Sequence, residues 1–367
     1  MKPRLVDYPW RGLDQFREVA SKHPEGLIDL SIGSPIDPSP GLVQSALAAA
    51  SNSPGYPKTA GSPDLRAAMV GWFERRRGVS GLATDQVLPT IGSKEFISLL
   101  PLMLGLGRGD VVVQPKFAYT AYGVGAQLVG SELVSSDNPE EWPKNTRLIW
   151  LNSPSNPTGE VLSSERLRAA VDRARALGAV IVNDECYAEL PWEEPWRSDG
   201  VPSILDVRVT QGDPSGVMAI YSLSKTANLA GYRLGLAAGD QNIISDILNT
   251  RMHAGLMLGA PMQSAMTAAL SADDYLAPIR SNYFERREIL CQAFSRAGFQ
   301  LESSEAGLYL WLTPPIAGRD AIARLADVGI LVAPGEFYSP SATDKIRVAL
   351  TVPTQLAHAV SDRLSVF

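Results

Sequence analysis

Between Val87 and Gly239 the chain carries a series of short apolar runs with little polar alternation. They are Val87-Leu88, Val111-Val112-Val113, Ala126-Gln127-Leu128-Val129, Leu148-Ile149-Trp150-Leu151, Val180-Ile181-Val182, Val217-Met218-Ala219-Ile220 and Leu234-Gly235-Leu236-Ala237. Runs apolar on both sides of the pleat predict strands covered on both faces. Between some of them lie amphipathic stretches, the clearest from Ser164 to Leu177. The pattern predicts an α/β fold: a mainly parallel seven-stranded sheet between helices. In such sheets ligands bind at the carboxyl ends of the strands.

The flanks read differently. Residues 1–40 are rich in proline and turn-formers, with a short strand expected at Leu27-Ile28-Asp29-Leu30 and a helix over Leu42 to Ala50. Ser62-Pro63-Asp64 has a capping serine and a first-turn proline, which predicts a helix start. Residues 241–298 read as helical, broken near Gly259-Ala260-Pro261, and after Gly298 strands alternate with a helix. The expected division is a large domain, 41–270, and a smaller α+β domain built from 1–40 with 271–367. Gly105-Leu106-Gly107-Arg108-Gly109 opens no helical pattern and reads as a turn.

Composition narrows the classes. The chain has 367 residues, 45% hydrophobic and 20% charged, which suits a soluble globular protein. A net charge of -6 gives no sign of affinity for nucleic acid or membrane surfaces. Cys186 and Cys291 make no disulfide framework. The three histidines, His23, His253 and His358, are isolated, so no metal is expected. The N-terminus lacks the apolar core of a signal peptide, and no apolar window is long enough to span a membrane. The expected location is the cytoplasm.

Candidate chemistry sits at the strand ends. Gly92-Ser93-Lys94-Glu95 opens a helix, and free N–H groups there can hold an anion; the bland reading is a plain capped helix. Asn156 is presented by the proline-fixed loop Asn152-Ser153-Pro154-Ser155-Asn156-Pro157-Thr158-Gly159, or simply bonds its own backbone. Asp184, in Asn183-Asp184-Glu185-Cys186-Tyr187, needs a cationic or hydrogen-bonding partner if buried. Lys225, in Ser222-Leu223-Ser224-Lys225, is by composition a solvated amine, yet Arg233 follows it by eight residues. Together these suggest a phosphate-bearing aromatic aldehyde held by the lysine.

This ordered set, with Gly55-Tyr56-Pro57, Ala60-Gly61, Leu65-Arg66 and Arg347, resembles the class I and II aminotransferases of fold type I, which use pyridoxal 5′-phosphate (PLP). The resemblance spans nearly the whole chain. It implies Lys225 as the amine that joins the PLP aldehyde and later carries the proton, with Asp184 and Tyr187 as its catalytic companions. Asp184 would pair with the pyridinium nitrogen. Tyr187 and Asn156 would bond the 3′ oxygen. Ser93, the backbone N–H of Lys94, Ser222 and Arg233 would hold the phosphate. Tyr56 would reach the phosphate of a neighbouring subunit, which implies a homodimer with shared sites. A ring-stacking aromatic comes from Pro115 to Tyr122: counting toward Tyr122 favours Tyr119, counting from Pro115 favours Phe117, and Tyr119 is taken here. Arg347 would grip the substrate α-carboxylate, with the Gly33 backbone near it. Cys186, inside the acid–tyrosine motif, reads as packing.

Within the family, Tyr8-Pro9-Trp10, His23-Pro24-Glu25-Gly26, Asp29 to Pro38 and Pro54 to Gly61 resemble the actinobacterial-type succinyldiaminopimelate transaminases of lysine biosynthesis. These exchange an amino group between glutamate and N-succinyl-2-amino-6-oxopimelate. Lys58, Lys116 and Arg251 lie in segments that could reach extra carboxylates, or are solvated charges. The alternatives are an aspartate, aromatic or branched-chain aminotransferase, or a PLP-dependent C–S β-lyase. A regulator's sensor domain is disfavoured, since no helix-turn-helix region or basic patch is appended.

Overall fold

A computed structural model describes Leu5, residues 9–365 and Phe367. Tyr8 of the N-terminal pattern lies outside the described residues, as do 1–4, 6, 7 and 366. In chain order the strands are β1 Ile28–Asp29, β2 Val87–Ile91, β3 Val111–Gln114, β4 Glu132–Ser135, β5 Thr146–Asn152, β6 Val180–Asp184 and β7 Val217–Ser222. They continue as β8 Leu234–Gly239, β9 Gln300–Ser303, β10 Tyr309–Thr313, β11 Ile330–Leu331, β12 Ala333–Pro334 and β13 Ile346–Ala349.

The seven-stranded sheet has the order β2-β8-β7-β6-β5-β3-β4. Its pairings are parallel except those of β8, which runs antiparallel to β2 and β7. The apolar runs are explained by helices on both faces. On one face Val112, Leu148, Val182, Met218 and Ile220 pack on helices Gly92–Met103, Ala121–Val129 and Gln241–Ala254. On the other, Val111, Val113, Ile149, Ile181, Val217 and Ala219 pack under helices Pro63–Arg77, Ser164–Leu177 and Ala260–Ser271. Period-two alternation thus distributes one run between two apolar layers.

Helix ends follow local chemistry. Ser62 Oγ accepts from the Leu65 N–H at 3.1 Å, Pro63 occupies the first turn, and Gly78 closes the helix in the left-handed region at φ 64°. Ser163 and Gly178 bracket Ser164–Leu177 in the same way.

One expected strand is not a strand. Ala126 to Val129 forms the last turn of helix Ala121–Val129, and the neighbouring edge strand is β4, two residues beyond Gly130. Both readings fit a four-residue apolar run; the polar ends of β4, Glu132 and Ser135, are exposed at the sheet edge and hide its strand character.

A four-stranded antiparallel sheet, β12-β13-β10-β9, forms a second unit. Helices Leu276–Arg296 and Thr354–Leu364 share its apolar cluster with Ile28 and Leu30 from the N-terminal segment. The segment is tied in by parallel pairing of β1 with β11 and by the Ala349 N–H to Leu30 carbonyl bond, 2.8 Å. Among the described residues no helix is long and apolar enough to cross a membrane.

Candidate active site

Register places the site. β5 and β6 end together, with Asn152 opposite Asp184, and Asp184 stands opposite Ile220, two residues before the end of β7. Three adjacent strands therefore deliver Asn152, Asp184 and Ser222 to one edge. The pocket there is lined by Gly33, Ser93, Lys94, Tyr119, Asn156, Asp184, Tyr187, Ser222, Lys225, Arg233 and Arg347, all expected from the sequence. Tyr56 is not among its lining residues; it is 99% exposed on the loop before helix Pro63–Arg77. Phe117 packs instead against Trp311, ring centroids 5.5 Å apart, so Tyr119 is the aromatic of that loop at the pocket.

Lys225 lies in the single turn Leu223–Thr226 directly after β7, capped by Ser222 Oγ, which accepts from the Ser224 N–H at 3.2 Å. Its Nζ donates to the Gly33 carbonyl. A four-residue turn at the end of a fully buried strand holds the amine in the pocket rather than in solvent.

Asp184 is buried, and its oxygens accept from the Tyr122 hydroxyl at 2.9 Å and the Cys186 N–H at 3.1 Å. Among the described residues no cationic side chain pairs with it. Burial pushes its carboxyl above the usual value, against these two bonds that lower it. The next residue, Glu185, points to the opposite side and is fully satisfied by Arg77 at 2.9 Å, Ser203 at 2.9 Å and the Ile204 N–H at 2.8 Å. Burial also raises the Tyr122 phenol, with Asp184 adding to it, and the Cys186 thiol. Cys186 does line the pocket, as a protonated thiol rather than a thiolate nucleophile.

The opposite end of the pocket is a donor set. Helix Gly92–Met103 opens beside Arg233, whose backbone is held in the left-handed region at φ 57°. Gly92 sits at φ 71°, in the left-handed region that favours glycine, and a Cβ there would press on the Arg233 guanidinium. Ser93, Ser222 and Ser224 add hydroxyls.

Arg347 leaves β13 with its guanidinium 3.9 Å from the Tyr309 ring centroid and 4.9 Å from that of Tyr338. It donates to Asn156 Oδ1 at 2.8 Å and the Ser31 carbonyl at 2.7 Å, while its buried Nε has no partner. No acid pairs with it among the described residues, which leaves its charge for a ligand. Asn156 is fixed in turn by Asn152 Oδ1, which accepts its N–H at 2.7 Å. Arg251 belongs elsewhere: it is fully buried, paired with Glu95 at 2.8 Å, neither solvated nor at the pocket. Lys58 and Lys116 do not line the pocket either.

Three residues escape sequence reasoning. Tyr122 and Tyr309 act through long-range partners, Asp184 and the Tyr187–Arg347 pair, and Asn152 through Asn156, four residues on, and the distant Asp184 carbonyl. The only signal of Tyr122 and Tyr309 is a polar group inside an apolar stretch, and Asn152 stands in the quoted loop with nothing local to single it out. Among the described residues no group of His, Cys, Asp or Glu side chains could hold a metal.

The arrangement fits PLP. An unpaired buried carboxylate suits a cationic ring nitrogen, and a helix start with Arg233 and three serines suits a phosphate dianion. The comparisons agree. The family model for aminotransferase class I and II matches residues 25–364. A probable aminotransferase of Mycobacterium tuberculosis is 46% identical over 363 residues, covering 98% of this chain and 85% of that protein. The 4-dedimethylamino-4-oxo-anhydrotetracycline transaminase OxyQ of Streptomyces rimosus is 44% identical over 362 residues, covering 98% and 99%. Among solved structures, a probable N-succinyldiaminopimelate aminotransferase of Thermus thermophilus superposes with a TM-score of 0.87 at 27% identity, covering 97% of this chain and 99% of that one. The chain belongs to the class I and II aminotransferases, enzymes that work with pyridoxal 5′-phosphate.

Proposed function

We propose that this aminotransferase moves the amino group between glutamate and N-succinyl-2-amino-6-oxopimelate. The observation that carries the amino-group chemistry is one pocket holding the Lys225 amine, the Asp184 carboxylate and the Arg347 guanidinium. The succinyl substrate is supported by the N-terminal sequence resemblance and by the likeness to the probable N-succinyldiaminopimelate aminotransferase of Thermus thermophilus.

Bound there, PLP supplies an aldehyde for the amino group and a ring that draws electrons from the substrate Cα. Arg347 binds the α-carboxylate through Nε and its terminal nitrogens. Lys225, as a free amine, would take and hold the proton from the substrate Cα on Nζ. Asp184 keeps a proton on the ring nitrogen, and Tyr187 and Asn156 donate to the 3′ oxygen. Asn156 would donate through Nδ2, while its Oδ1 accepts from Arg347. Ser93, Ser222 and Arg233 anchor the phosphate.

We further propose a large domain, 41–270, and a small one, 1–40 with 271–367. Helix Ala260–Ser271 packs on Gly41–Ala49 and Pro63–Arg77, whereas Leu276–Arg296 packs on Thr354–Leu364. The working unit is a homodimer in which Tyr56 serves the partner's site.

A second reading has its own support. Trp10 and Ile32 put an apolar wall on the substrate side of the pocket, and OxyQ, by its name, aminates a polycyclic ketone. A panel of donors and acceptors separates the two. We expect a visible band that moves on adding glutamate and is lost in Lys225→Ala. We expect turnover of the succinylated oxo-acid at least 100-fold above that of aspartate-, phenylalanine- or ring-derived acceptors. No half-reaction with glutamate and the succinylated acceptor would sink the first reading.

A further inference from the structure

The sequence marks Tyr309 only as part of an apolar strand. In the fold β10 sets this buried side chain between two groups of the pocket. Its hydroxyl lies 3.2 Å from the Tyr187 hydroxyl, and the rings meet edge to face at 5.6 Å. Its face supports Arg347 at 3.9 Å. It also abuts the Gly33 backbone so closely that a Cβ there would strike the Tyr309 hydroxyl.

A phenol has one hydrogen to donate and lone pairs to accept. Tyr187 cannot give the same hydrogen to both Tyr309 and a cofactor oxygen. We propose that Tyr309 is a positioning residue: its hydroxyl donates to Tyr187, which aims and strengthens Tyr187's own donation to the cofactor's 3′ oxygen, while its ring holds the Arg347 guanidinium for the substrate carboxylate. The inference rests on the placement of Tyr187 proposed above.

Two cations near Tyr309 favour it as the donor. The titratable groups near Tyr309 are Lys225, Cys186, Tyr187, Arg347 and Tyr283. Burial pushes the Tyr309 phenol up, but the Arg347 and Lys225 charges work against it, and it lies below the usual tyrosine value. Burial, the largest cause, holds Tyr187 well above that value. The more acidic phenol is the stronger donor, and linked hydrogen bonds strengthen one another.

The test uses the PLP-loaded protein and three variants, Tyr309→Phe, Tyr309→Leu and Tyr187→Phe, with a pH titration of the visible band and KM for glutamate. Weaker donation leaves the 3′ oxygen more basic, so the nearby proton is held to higher pH. Tyr309→Phe raises the band's midpoint by roughly 0.3–1 pH unit and leaves KM within about twofold. Tyr309→Leu gives the same shift and also raises KM roughly 3- to 30-fold, because Arg347 loses its aromatic support. A midpoint moved by Tyr187→Phe but not by Tyr309→Phe overturns the hydroxyl relay. Equal KM changes in Phe and Leu variants overturn the ring's role. If Tyr187→Phe leaves the midpoint in place, the placement of Tyr187 itself fails. Should Tyr309→Leu not fold, Tyr309→Phe against Tyr187→Phe decides the relay.

Discussion

Asp184 and Glu185 are neighbours in the chain with opposite surroundings. Glu185 is ion-paired with Arg77 and bonded to Ser203, while Asp184 has only neutral donors. An unpaired buried carboxylate costs stability, and its raised pKa shows the sign. Below the ordinary value, 3.8, both the folded and unfolded carboxyls are protonated and no penalty exists. As pH rises the unfolded chain ionises first, so the folded state loses stability until Asp184 itself ionises. Asp184→Asn removes this dependence, and Asn can still bond the Cys186 N–H and the Tyr122 hydroxyl. The unloaded variant should be more stable than the parent by about 1–3 kcal/mol at pH 7, with the gain gone below about pH 4. The loaded variant should lose about 100-fold or more in kcat. Urea unfolding at both pH values checks the first; a variant less stable at pH 7 would contradict it. At this scale legibility divides by chemistry. Lys225 and Asn156 are readable because each follows a strand in a motif with its own glycines, prolines or serines, Asp184 because it is an acid at the end of an apolar run, and Arg233 by its spacing from Lys225. Tyr122 and Tyr309 carry no local motif. Their roles arise only when Ala121–Val129 and β10 meet β6.

At the scale of elements, the phosphate end depends on how closely β8 approaches the start of helix Gly92–Met103. Gly235 sits in β8 opposite Thr90, and a Cβ there would lie 2.9 Å from the Gly92 carbonyl carbon and 3.0 Å from the Ser93 nitrogen. Those atoms are backbone and cannot swing aside. Gly235→Ala must push the helix start off the strand, moving the N–H groups that would hold the phosphate. PLP affinity should fall at least about tenfold, read by fluorescence titration, with fold stability reduced by about 1–3 kcal/mol. Unchanged affinity would mean that the helix start does not hold the cofactor. The motif Gly92-Ser93-Lys94 was legible as an anion site because a helix start after a strand has free N–H groups. The glycine opposite it was legible only as part of an apolar run, since sheet pairing brings it there from 143 residues away (235 − 92). The same limit explains Ala126–Val129. Four apolar residues do not distinguish the inner face of a helix from a buried strand.

At the scale of the whole molecule, the described chain builds a pocket that its own Tyr56 does not enter. Tyr56 projects fully exposed between Gly55 and Pro57. In a closed twofold dimer each protomer offers the same patch to the other, so a residue useless at home can complete the neighbour's site. This predicts complementation between two inactive variants. Lys225→Ala lacks the reactive amine, and Tyr56→Ala should lose about tenfold or more in PLP affinity through the missing phosphate contact. Mixed, unfolded and refolded together at equal amounts, half the dimers should be mixed, and one site in each should have both Lys225 and an incoming Tyr56. At PLP concentrations where each variant alone is nearly silent, the mixture should recover about a quarter of the parent activity. Were Tyr56 to serve its own chain, the mixed dimer would have no complete site, since one subunit lacks the amine and the other the phenol. Activity no higher than the mean of the two parents would then place Tyr56 outside the partner's site, and with it the shared-site dimer would fall.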